Sequence, residues 1–157
     1  MSKRDIFEPR EHFKPFEYKE CEEFTDAINE SFWTFKEFDF VTDVQEYHAD
    51  LTDYEQEIIK KCLLSISQVE VSVKNFWATL FSHLPKPEIQ MVGVSFAESE
   101  VRHERAYSHL LEVLGFNKEF EKIYDIPAII DRHNYLKKYK DFAGARLDEN
   151  FLNIGSI

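Results

Sequence analysis

Three side chains could do chemistry together: Glu70 and, thirty residues on, the pair Glu100 and His103. An acid at i and a histidine at i+3 share one helix face, so both can reach one ion. Each lies where an aliphatic residue is expected. Ile59, Leu63, Ile66, Glu70, Val73, Trp77 and Leu80 recur at steps of three and four, as do Gly93, Phe96, Glu100, His103, Tyr107, Leu110 and Leu114. That is the period of one buried helix face. A carboxylate buried in such a seam costs several kcal/mol, roughly, unless a cation or hydrogen-bond partner compensates. A metal ion does so most directly. The acid-rich, histidine-poor set suits iron or manganese better than structural zinc, which prefers sulfur and nitrogen.

Glu100/His103 is the sole Glu-x-x-His of the chain, and one occurrence is what chance supplies. Seam position, together with Glu70 in the preceding helix, turns it into a metal-site candidate. Di-metal bundles use a lone Glu from each of two helices and a Glu-x-x-His from each of two others. This chain holds one of each. Lys74, one turn after Glu70, is either half of a surface ion pair or a cation beside the site. Tyr107, one turn after His103, is either a core aromatic or a redox-active phenol. Trp33 reads by default as core packing. Glu8 and His12 are discounted because Pro9 and Pro15 oppose a helix there, and His48, His83, His109 and His133 read as surface or capping residues. No Gly-x-Ser-x-Gly and no Gly-rich phosphate loop occurs.

The elements that must position these residues are helical. With only 4 Gly and 5 Pro among 157 residues, the punctuation that sandwiches and barrels need is scarce. Residues 1–18 read as an extended, loosely structured arm, and 19–157 as the helical domain. A helix is predicted over 20–35, irregular chain over 36–49, and a long helix from about Leu51 to Leu84, with Thr52 and Glu55 as its capping box. Leu84-Pro85-Lys86-Pro87 stops it. A second long helix follows from Pro87 to Leu114 with Gly115 as C-terminal cap. Shorter helices are predicted over 117–124 and 127–143, and another opens within 147–157. The fold class is all-α, a bundle built on two long antiparallel helices.

A formal net charge of −11 opposes nucleic-acid binding, which rests on neutralising phosphates. Cys21 and Cys62 make neither a disulfide framework nor a zinc knuckle. The start has no apolar signal core, and no apolar run is long enough to span a membrane. A cytoplasmic protein with no membrane partner is expected.

At these residues the chain resembles the small, radical-generating subunit of class I ribonucleotide reductase. Ser31-Phe32-Trp33, then Glu70, then Phe96-Ala97-Glu98-Ser99-Glu100-Val101-Arg102-His103-Glu104-Arg105-Ala106-Tyr107-Ser108-His109 carry the match. The resemblance implies a ferritin-like helical bundle, of which this is the N-terminal half. It also implies a di-metal site that oxidises, over a long range, a cysteine of a separate large catalytic subunit. Glu70, Glu100 and His103 would be metal ligands, and Trp33 would lie on the electron-transfer path near His103. Tyr107 would be the radical site in subclasses that use one. Glu70, where most members have Asp, and Lys74 resemble the manganese-using subclass Id, which favours manganese over iron and makes Tyr107 a bystander.

Family members are much longer. Their later helices carry the remaining Glu, the second Glu-x-x-His and the carboxylate linking His103 to Trp33. The site is therefore expected to be completed by a C-terminal half on a separate chain, or by a second copy. The alternative is a homodimeric ferritin-like di-metal oxidase or metal-binding protein built from half-bundles.

Overall fold

The computed structural model describes residues 4–142, and the helix expected within 147–157 lies outside them. The described chain runs α1 (Glu20–Glu30), a 3₁₀ turn (Phe35–Glu37), α2 (Val41–Ala49), α3 (Asp53–Leu80) and a second 3₁₀ turn (Phe81–His83). It continues as α4 (Pro87–Val113), a third 3₁₀ segment (Glu119–Asp125) and α5 (Pro127–Phe142). No strand occurs among the described residues, as the all-α reading requires. No helix among them is long and apolar enough to cross a membrane.

The long helices begin and end where local chemistry dictates. The Thr52 backbone N–H donates to Glu55 Oε2 at 2.9 Å and the Glu55 N–H donates to Thr52 Oγ1 at 3.4 Å, closing a capping box at the start of α3. At the end of α4, Gly115 takes φ +85°, a conformation only glycine adopts without strain. The Phe116 N–H then bonds back to the Leu111 carbonyl at 2.8 Å and the Gly115 N–H to that of Glu112 at 3.0 Å. This is a Schellman closure with Phe116 packed on its hydrophobic cluster.

Two elements differ from the sequence reading. The helix expected over 20–35 stops at Glu30, because Thr34, extended at φ −130° and ψ 151°, forms its own capping box with Glu37. Trp33 therefore lies beyond the helix. The chain expected to be irregular over 36–49 is helical from Val41. Tyr47 anchors it, 5% exposed, its hydroxyl donating to the Gln56 carbonyl at 2.8 Å. The Asp and aromatic density of that stretch conceals a helix held by tertiary packing.

The chain forms two compact units. The first comprises residues 4–32, 73–99 and 138–142 of the described chain. Its core is Leu80, Leu84 and Ile89, with Ile6, Tyr18, Cys21, Phe76, Trp77 and Phe81 packed around them. Gly93 is required here, since a Cβ at that position would overlap Phe81. Residues 4–19, before α1, carry no helix and are tied down by side chains. The buried Arg10 guanidinium donates to the carbonyls of His12, Phe13 and Pro15 and pairs with both oxygens of the fully buried Glu88. Glu88 also accepts the Glu17 and Tyr18 N–H groups, at 2.9 and 3.2 Å, and buried Lys86 pairs with Glu17 at 2.8 Å. Phe24 and Phe32 are more than half exposed.

The second unit comprises residues 33–72 and 100–137. Leu64, Leu111, Ile123 and Ile129 form its core, with Leu63, Phe116, Phe120 and Ile126 against them.

Candidate metal centre

The polar cluster sits in the second unit, where α3 and α4 face each other. On α3 the buried stripe is Leu64, Ser67 and Glu70. Ile66, placed in that seam by the sequence pattern, is 39% exposed instead. The three-residue steps of the real stripe still carry Glu70 inward, to 9% exposure. Glu100 and His103 follow on α4, both half-buried.

One ligand-type atom from each of Glu70, Glu100 and His103 can be chosen so that all lie within 4.8 Å of one another. His103 Nδ1 lies 2.8 Å from Glu100 Oε2. The Glu70 carboxyl is pushed up to about 7, first by burial, then by its hydrogen bond to Glu100 and by the negative charges of Glu100 and Glu104. These acids thus repel one another in a partly desolvated place, the condition a divalent cation relieves. Two carboxylates and an imidazole are donors that iron and manganese accept. The residues present fit such an ion.

Trp33 stacks on His103, with ring centroids 6.0 Å apart and planes at 27°. Its ring thus contacts the imidazole of the candidate cluster. Tyr107 is half-buried one turn beyond His103 on α4, and Lys74 is half-buried one turn beyond Glu70 on α3. Lys74 falls in the first unit and Glu70 in the second.

Three features escaped the sequence reading. Glu104 adds negative charge at Glu70; its adjacency to His103 in an acid-rich run was the available signal. His109, read as a surface or capping residue, is half-buried against Phe35 at 4.7 Å and Phe40 at 5.8 Å. His133 likewise meets the Tyr124 ring edge-on.

The sequence is similar to those of known proteins. The profile of the ribonucleotide reductase small chain matches residues 10–153. A probable ribonucleoside-diphosphate reductase small subunit of Invertebrate iridescent virus 3 is 29% identical over 128 residues, covering 81% of this chain and 34% of the viral protein. A counterpart in Invertebrate iridescent virus 6 is 28% identical, covering 87% and 38%. A small chain of ribonucleoside-diphosphate reductase from Arabidopsis thaliana is 31% identical, covering 71% and 33%. The present sequence spans about a third of the length of these relatives. The match covers both long helices and all three clustered side chains, and the chain belongs to the ribonucleotide reductase small-chain family.

Proposed function

We propose that this sequence is the N-terminal part of a ribonucleotide reductase small subunit and supplies half the ligands of its di-metal centre. In this reading residues 19–157 form the N-terminal half of the ferritin-like domain, and residues 1–18 its arm. The gathering of Glu70, Glu100 and His103 donor atoms within 4.8 Å carries the reading. Glu70 and Glu100 would hold metal through carboxylate oxygens, and His103 through its imidazole. Once bound, the metal pair supplies the oxidising equivalent that ribonucleotide reduction needs. Two carboxylates and one imidazole cannot fill two coordination spheres. The remaining ligands come from a C-terminal half, continuous with this sequence or on another chain. The completed subunit works with a large catalytic subunit.

The chain's own residues divide the work. Glu70 and Glu100 provide anionic donors in a place where their mutual repulsion favours a cation. Trp33 lays its ring against the ligand imidazole, and in this reading it lies on the electron-transfer path near His103. Lys74 adds a cation to the same helix, one turn from Glu70, suited to adjusting a ligand carboxylate or guiding an anionic oxidant. Glu70 and Lys74 together favour manganese over iron, with Tyr107 a bystander phenol.

The test is metal content. Combined with its C-terminal half and offered manganese and iron equally, the chain is expected to retain about two ions per completed site, with manganese in excess. Glu100→Ala should abolish retention while the helices persist by circular dichroism. A completed protein that emerges metal-free would end this reading, and one that selects iron would end the manganese assignment.

A further inference from the structure

Trp33 is not held by helical backbone. It falls in the connection 31–40, between the end of α1 at Glu30 and the start of α2 at Val41, where a single 3₁₀ turn is the only regular structure. Side chains must therefore fix its ring. That connection is fastened to α4 at two levels. At the first, Trp33 stacks on His103. At the second, six residues along α4, the His109 ring meets Phe35 at 4.7 Å and 40°, and Phe40 at 5.8 Å and 58°. The Arg105 guanidinium lies 5.4 Å from the centre of the Phe35 ring, on the same stretch of α4. Phe38 joins the two levels, edge-on to Trp33 at 5.9 Å and 6.3 Å from Phe40. The rings form one connected set: His103, Trp33, Phe38, Phe40, His109, Phe35.

We propose that His109 is a positioning residue that keeps Trp33 stacked on His103, acting through Phe35 and Phe40 and, by way of Phe38, on the Trp33 ring. Its importance for function rests on the reading of Trp33 as the aromatic partner of a metal-binding histidine. Ring packing, not imidazole hydrogen bonding, is what the position supplies, so another aromatic ring should serve.

The chain has two tryptophans, and Trp77→Phe leaves Trp33 as the sole reporter. In that background, His109→Ala should raise acrylamide quenching of Trp33 about twofold, the mark of local opening without unfolding, and should weaken its near-ultraviolet dichroism. His109→Phe should restore both signals. Val113→Ala, which removes bulk from the same cavity wall that His109 lines, should leave them unchanged. If His109→Ala loses helix content, Phe40→Leu is read in its place with the same expectation.

Unchanged quenching in His109→Ala would overturn the proposal. So would a His109→Phe variant as open as His109→Ala, or a Val113→Ala variant equally open. None of these readouts requires metal. A protein whose Trp33 depends on His109 but which never retains metal would overturn the proposed function and leave the clamp standing. Metal retention with a Trp33 indifferent to His109 would do the reverse.

Discussion

Among the described residues acid is buried in two places and treated in opposite ways. At Glu88 every demand is met locally: Arg10 grips both oxygens, and the Glu17 and Tyr18 N–H groups donate to the carboxylate. Burial pushes the Glu88 carboxyl up, but the backbone donors and Arg10 outweigh it and hold the group below the usual carboxylate range. At Glu70 burial acts the same way, yet the neighbours are Glu100 and Glu104, and the carboxyl rises to about 7. The difference lies in the company each acid keeps. A buried carboxylate with its own cation is architecture, whereas one beside further acids is a candidate site for a cation.

Removing the compensation at the first cluster should have the largest effect. Arg10→Met leaves the Glu88 charge buried without its partner and is expected to cost about 3–5 kcal/mol in denaturant melts. A loss below about 1 kcal/mol would mean that the backbone donors alone suffice. Glu70→Gln should act in the opposite direction. Because the folded-state value lies above the unfolded one, Glu70 erodes stability as pH rises from about 4.5 to about 7, and the deficit persists above that. Removing the charge at pH 8 should therefore stabilise the metal-free protein, by about 1–2 kcal/mol after solvent screening, with little gain at pH 4. A loss at pH 8 would dissolve the contrast between the two clusters. The pH dependence of the first cluster is read at Glu88. Its depressed value means that its contribution is full above the unfolded value and fades as pH falls through the folded one. Melts of parent and Glu88→Gln should converge on acidification and separate at neutral pH.

Legibility in the sequence followed the range of the interaction. The Thr52/Glu55 box and the Gly115 turn depend on residues a few positions apart, and both stand where the sequence places them. Glu70, Glu100 and His103 were found because polar residues broke an otherwise apolar rhythm, although Ile66 in that rhythm points outward and Ser67 inward. Local sequence alone did not reveal α2, whose anchoring Tyr47 finds its partners on α3 and at Phe116. Nor did it show the clasp between Arg10 and Glu88, which no periodicity connects. His109 was misjudged because its partners, Phe35 and Phe40, lie far back in the chain.

That clasp also imposes an order of events during synthesis. Arg10 and Glu88 are 78 positions apart, so at about 5–20 residues per second the segment bearing Arg10 waits roughly 4–16 s for its acceptor to be made. The segment bearing Arg10 is thus fastened only after α3 has been made. Until then the growing polypeptide trails a tether with its guanidinium unclaimed.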